Sequence, residues 1–337
     1  MPATEYRNPV YPGYFADPFV WKHGDRWYAI GTGALEALSE ASHGSEALTV
    51  TGKPGVFSIL QSEDFVTWRL IGSALEMLPP EYGDAYWAPE IAVHNRKFYL
   101  YYSVGRGDKA HHIRVAASDH PEGPYRDMGV RVTNPFHIPF AIDASPFQDD
   151  DGQWYLFYAR DFLDCDDGVR AGTAVVVDRL IDMTRLAGEE RVVARARYDW
   201  QRFLENRIMY GGVYDWHTLE GPCTRKRNGR YYCLFSTGRW ENETYGVDFA
   251  VADHVLGPYS TEGMSDEGAR VLRSKPGEVL GPGHNCIAMG PDGSTDYLVY
   301  HAWDPTMTAR RMFIDPLEWR AGRPHCAGPT NTSQRLR

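Results

Sequence analysis

Five polar residues each head an apolar, aromatic run and adjoin proline or glycine: Asp17 in "ADPF", Glu90 in "APEI", Asp143 in "DASPF", Glu220 in "EGPC" and His284 in "GPGH". A carboxylate is costly to bury unless it is paired or hydrogen-bonded, so repeating that placement in strand-like surroundings points to a use. Converging carboxyl groups with no nucleotide or metal motif beside them suit acid–base cleavage of a neutral acetal. One carboxylic acid protonates the departing oxygen, and a second carboxylate activates water or attacks directly. The acid must keep its proton near neutral pH, which burial and a neighbouring negative charge both favour. Taken singly, each of the five is an ordinary turn former; their recurrence in one place of a repeat favours a shared site. Glu90, beside Trp87 in "YWAPEI", receives no chemical role.

The elements that would position them are short strands. Runs of Val, Ile, Tyr, Phe and Trp separated by Gly, Asp, Asn and Pro recur throughout, whereas helical periodicity is absent. A turn followed by an anchor tyrosine returns five times, in "GDRWYAIG", "NRKFYLYYS", "DGQWYLFYA", "NGRYYCLFS" and "GSTDYLVYH", at Tyr28, Tyr99, Tyr155, Tyr232 and Tyr297. The five polar residues lie nine to thirteen positions before these tyrosines. Four strand-like pieces per unit match a propeller blade with its loops, so the expected fold is all-β, a five-bladed β-propeller filling residues 1–337 as one domain without an appended module. A β-sandwich would not explain the fivefold return.

Composition narrows the partners. The chain has 337 residues, 43% hydrophobic and 24% charged, with a net charge of −10. Polyanions would be repelled, which argues against nucleic acid and anionic membrane and leaves a neutral sugar unaffected. The five cysteines are scattered and never form C-x-x-C, so neither a disulfide framework nor a zinc site is expected. No basic-then-apolar start marks a secretory signal, so a cytoplasmic location is expected. "DDDG" at Asp149–Gly152 and "RKRNGR" at Arg225–Arg230 read as solvated hairpin tips.

The segments "YFADPFV", "YWAPEI", "IDASPFQDDDGQWYLFY", "LEGPCTRKRNGRYY" and "GPGHN" resemble, in order and over almost the whole chain, the family 43 glycoside hydrolases. That resemblance implies a five-bladed propeller that inverts the anomeric centre. It implies Asp17 as general base, Glu220 as general acid, and Asp143 as the residue that tunes and orients Glu220. It makes His284 an axial histidine facing a calcium ion or a water cluster; no cofactor is needed for the chemistry. Activities in the family include α-L-arabinofuranosidase, β-xylosidase, endo-arabinanase and exo-galactanase. An exo-acting arabinofuranosidase or xylosidase working on small oligosaccharides is the expectation, against an endo-enzyme or a non-catalytic sugar-binding propeller.

Sugar contacts are expected from aromatic faces and a few donors. Trp87 is the first choice for the pocket wall and Trp216, four positions before Glu220, the second, with Trp240 and Trp303 as further candidates. In "TARRMFID" strand alternation lets only one of Arg310 and Arg311 face the axis; the resemblance implies an arginine near the sugar hydroxyls in the last blade, and Arg311 is named for it with Arg310 as the alternative. Ala34–Gly55 and Leu186–Gly212 fit the repeat poorly and are read as surface loops near the pocket, where propellers set specificity.

Overall fold

The computed structural model describes residues 5–33, 55–134 and 139–337. The chain forms a five-bladed β-propeller. Blade I comprises Ala16–His23, Arg26–Thr32, Gly55–Ser62 and Arg69–Glu76, and blade II Ala85–His94, Lys97–Arg106, Lys109–Ser118 and Arg126–Arg131. Blade III comprises Ala141–Gln148, Trp154–Phe162, Gly172–Asp182 and the short outer strand Arg191–Ala194. Blade IV is built on Gly212–Arg227, Arg230–Thr237, Gly246–Ala252 and Leu272–Arg273, and blade V on Leu280–Met289, Asp296–Trp303, Arg310–Arg320 and Arg323–Cys326. Each blade is an antiparallel meander; a short parallel pairing of Gly172–Thr173 with His217–Thr218 joins blades III and IV into one hydrogen-bonded sheet.

The anchor tyrosines explain why the sequence repeats. Side chains of a strand alternate between its two faces, and in a propeller those faces meet the two flanking blades. Tyr28 packs between blades I and II, Tyr99 between II and III, and Tyr155 between III and IV. Tyr232 packs between IV and V, and Tyr297 between V and I. One aromatic per repeat thus anchors one inter-blade core. The recurring "GPY" also marks equivalent corners: Tyr125 Oη donates to Pro121 O and Tyr259 Oη to Val255 O, each at 2.9 Å.

The innermost strands share a second feature that the sequence pattern only partly conveys. Every one carries a one-residue bulge, with register breaks at Ala16/Phe19, Trp87/Glu90, Ile142/Ser145, Glu220/Cys223 and Gly283/Cys286. The residue opening each bulge has positive φ: Asp17 at 51°, Ala88 at 48°, Asp143 at 58°, Gly221 at 54° and His284 at 48°. Asp17, Asp143 and His284 therefore occupy one equivalent position, as expected. Glu220 sits one residue before it and Glu90 two residues after it, so the fivefold equivalence is corrected at those two residues.

Leu186–Gly212 is not a loop. It contains Arg191–Ala194 and a strand, Arg202–Met209, that pairs with the first half of Gly212–Arg227 as a long hairpin before blade IV. The expected loop at Ala34–Gly55 falls on residues 34–54, outside the described residues, and Gly55 opens a strand. Among the described residues no helix is long and apolar enough to cross a membrane.

The ring is closed by the segment ahead of blade I. Val10 N–H and Phe15 N–H donate to Met312 O and Arg310 O, and Glu5–Tyr6 pairs with Gln334–Arg335. Buried Asn8 behaves as a piece of strand: its Nδ2 donates to Ile314 O at 2.8 Å and its Oδ1 accepts Ile314 N–H at 2.9 Å. Asn8→Ala leaves Ile314 N–H without this acceptor and Ile314 O with only the longer bond from Tyr6 Oη at 3.3 Å, and should lower the unfolding free energy by about 1–3 kcal/mol in denaturant titration.

Candidate active site

The five bulges converge on a cavity of about 350 Å³, small for a ligand site. Asp17, Asp143 and His284 reach it from the bulge position, and Trp87, Ile142 and Glu220 from the residue just before. The bulge amides point the same way and find partners on the preceding blade. Asp17 N–H donates to His301 Nδ1 (3.1 Å), Ala88 N–H to Thr32 Oγ1 (2.8 Å), Gly221 N–H to Asp143 Oδ2 (2.8 Å) and His284 N–H to Ser236 Oγ (2.6 Å). At Gly221 a side chain would meet the His284 ring at 3.1 Å as well as the positive φ, so glycine is required beside Glu220.

The carboxyl groups live in different fields. Burial disfavours the charge on Asp17, but His284 Nδ1 at 3.3 Å and Arg310 at 3.5 Å overcome it and hold its pKa well below the usual carboxylate range. Burial lowers both imidazoles, His301 to about 4. At neutral pH Arg310 is therefore the cation that keeps Asp17 ionised. Burial raises Glu220 to about 7, with the Asp17 charge adding to it and the 2.6 Å hydrogen bond from Tyr245 Oη opposing it. Asp143 is raised well above the ordinary range by burial and by the charges of Glu220 and Asp17, while the Gly221 amide stabilises its anion. One site thus holds a carboxylate and a carboxylic acid at the same pH.

The walls are aromatic. Trp87 lines the cavity and stacks on His111 with ring centroids 3.7 Å apart; Phe140 stands edge-on to His111. Trp240 lines the opposite part and stacks on Trp303, whose Nε1 donates to Trp240 O. Arg310 lies 4.5 Å from the Trp240 ring and donates to Tyr14 Oη at 2.8 Å.

Two expected sugar contacts are displaced. Arg310, and not Arg311, reaches the cavity; Arg311 faces the other side of its strand and pairs with Asp304 at 3.1 Å. Trp216 is fully buried behind the lining, packed against Tyr214 and Tyr210 with Arg207 5.4 Å from its ring. Glu90 is buried and does not line the cavity; Ser145 hydrogen-bonds it, and burial pushes its pKa well above the usual carboxylate range. Tyr245 and His301 escape a reading based on strand heads because they stand on, or just ahead of, second and third strands. Phe203, Arg207 and Asp108 come from the hairpin and a blade II turn.

His284 does not sit in a protein-built calcium cage. Calcium takes six to eight oxygen ligands, and the side-chain oxygens against this ring are those of Asp17 and Asp143, at 3.3 and 3.9 Å. Among the described residues no group of three or more His, Cys, Asp or Glu is arranged to hold a metal.

Comparison with known proteins identifies the family. The model for "Glycosyl hydrolases family 43" matches residues 6–324. A relative from Aspergillus niger described as β-D-galactofuranosidase xynD is 30% identical over 322 residues, covering 91% of this chain and 79% of that protein. The extracellular endo-α-(1→5)-L-arabinanase 1 of Bacillus subtilis is 27% identical over 325 residues, covering 91% and 86%. A crystal structure of a thermostable family-43 glycoside hydrolase superposes with a TM-score of 0.78 at 28% identity, over 98% of each chain. With the fold, the converging carboxyl groups and these matches together, the chain belongs to glycoside hydrolase family 43 and is a glycosidase.

Proposed function

We propose that the enzyme is an inverting, exo-acting glycosidase that removes a terminal arabinofuranose or xylose unit from small oligosaccharides. Asp17 serves as general base, Glu220 as general acid, and Asp143 as the residue that orients the acid. The observation that carries this reading is that two carboxyl groups line one cavity with opposite neighbours: Asp17 lies 3.5 Å from the Arg310 guanidinium, which favours its anion, and buried Glu220 takes a neutral donor, Tyr245 Oη at 2.6 Å, and is raised to about 7. In a single displacement, Asp17 takes a proton from water as that oxygen bonds to the anomeric carbon. Glu220 gives its proton to the departing oxygen, through an oxocarbenium-like transition state. Asp143 grips the amide of Gly221, the residue next to Glu220, and mutual repulsion between the two carboxyls keeps a proton in the pair.

The small cavity, walled by Trp87, Phe140 and Trp240, suits one terminal sugar ring. The galactofuranosidase relative favours a second substrate reading within the same mechanism. β-D-Galactofuranose and α-L-arabinofuranose share their ring configuration and differ in the exocyclic group, so the shape of the walls would decide between them. Nitrophenyl α-L-arabinofuranoside, β-D-xyloside and β-D-galactofuranoside, with proton NMR of the first product, test both points. Release of the inverted anomer from one of them is expected; a retained anomer would overturn the single displacement.

Activity requires Asp17 charged and Glu220 protonated. The rate should therefore fall as pH rises through about 7, where Glu220 loses its proton, while the acid limb lies low because Asp17 is depressed. Glu220→Gln should lower kcat by roughly 10²–10⁴ on a poor leaving group and much less on dinitrophenyl glycosides, which need little protonation. Tyr245→Phe removes a donor that favours the Glu220 anion, so the alkaline limb should move upward by roughly 1 unit; a downward shift would contradict the assignment.

A further inference from the structure

The cavity floor is built from repeated positions, whereas its rim carries an ion pair between the hairpin ahead of blade IV and a turn of blade II. Arg207, on the hairpin strand Arg202–Met209, donates through Nη2 to Asp108 Oδ2 at 2.7 Å. Asp108 belongs to the turn between the second and third strands of blade II, 99 positions away. Both residues line the cavity. To make the contact the hairpin must lean across the top of blade III, and Tyr210 at its tip ties it there by donating to Asp161 Oδ2 at 2.7 Å.

Both ends of the bridge are braced. The Arg207 guanidinium lies 5.4 Å from the Phe203 and Trp216 rings, and its side chain is only 14% exposed despite its place on the rim. The turn that carries Asp108 is pinned by a 2.7 Å hydrogen bond between His111 Nε2 and Gly107 O, and His111 is the ring on which Trp87 stacks. Buried Trp216, expected to touch sugar, thus acts through Arg207. The Asp108 side chain is 62% exposed, and an ion pair with one partner in solvent adds little stability. Its consequence is shape.

We infer that the Asp108–Arg207 bridge is a specificity-determining strut that closes the cavity mouth over blade III, so that an oligosaccharide enters by its end and cannot lie through the site in that direction. This rests on the glycosidase reading above and deepens it: the strut is the feature that enforces exo action. A chain continuing past blade III would have to displace a desolvated guanidinium from two aromatic rings and a carboxylate.

The test separates binding from turnover. In a Glu220→Gln background, calorimetric affinities are measured for α-1,5-arabino-oligosaccharides and β-1,4-xylo-oligosaccharides from disaccharide to hexasaccharide, with the native rim and with Arg207→Ala or Asp108→Asn. With the native rim, affinity should stop rising after the shortest members. Either rim variant should restore a rise of roughly tenfold or more for the longer ones. In the corresponding active enzymes, the ratio of internal to terminal cleavage, read by product chromatography, should increase in parallel. Affinity that grows with length under the native rim, or stays flat in both variants, would overturn the strut while leaving the catalytic roles standing. Failure to bind or cleave any sugar in the panel would instead overturn the functional reading and the strut with it. Thermal melting of each variant within a few degrees of the native rim excludes loss of fold as the cause.

Discussion

The structure depends on a single backbone device, the bulge in each innermost strand. The free edge of such a strand faces the propeller axis, while its side chains alternate toward the two flanking blades. A regular strand could fill inter-blade cores but could not aim a side chain into the funnel. An extra residue at positive φ rotates one side chain out of that alternation, which is how bulges re-aim residues near functional sites. The conformation is strained for residues other than glycine, by roughly 1–3 kcal/mol each. It is held by side chains of the preceding blade that accept the bulge amides: His301 for Asp17, Thr32 for Ala88, Asp143 for Gly221 and Ser236 for His284. The same bonds stitch neighbouring blades at the axis, so assembling the ring and shaping the site are one event.

Electrostatics follows from that convergence. Bringing three carboxyl groups into a buried funnel would leave all three protonated if burial were the only force. Arg310 breaks the symmetry by approaching Asp17, and Tyr245 and the Gly221 amide distribute weaker donors to Glu220 and Asp143. Trp240 covers the Arg310 guanidinium, and Tyr14 fixes one of its nitrogens, so the cation is held against Asp17 while its pull on Glu220 is outweighed by burial.

Much of this was legible in the sequence, for a physical reason: inter-blade packing demands the same aromatic at the same place, so turn-plus-tyrosine signals the blade, and the axial acids lie at a near-fixed offset from it. The offset is only near-fixed because the turn after the innermost strand differs in length from blade to blade, which spreads Asp17, Asp143 and His284 although all three open a bulge, and because a bulge exposes both its own side chain and that of the residue before it. Glu220 uses the earlier position because Gly221 must be small beside His284, and Glu90 lies past the bulge and turns inward. Arg310 and Arg311 were indistinguishable because alternation gives the spacing but not the phase; pairing opposite Trp303 and Ala302 sets it. Tyr245 and His301 have no local motif, since each reaches the site from a neighbouring strand.

Floor and rim therefore obey different rules. The floor is set by symmetry: changing one bulge residue disturbs an amide acceptor and two blades, so the chemistry is locked to the architecture. The rim is set by an insertion into the repeat. The Arg202–Trp216 hairpin touches the blade II turn through one ion pair and blade III through one tyrosine, and its outer residues Ile208 and Val213 are exposed. Such an element can lengthen, shorten or lean elsewhere without moving Asp17, Asp143 or Glu220. The part of the site proposed to measure the sugar chain is thus mechanically separate from the part proposed to break it, and relatives of this chain carry names as different as galactofuranosidase and endo-arabinanase.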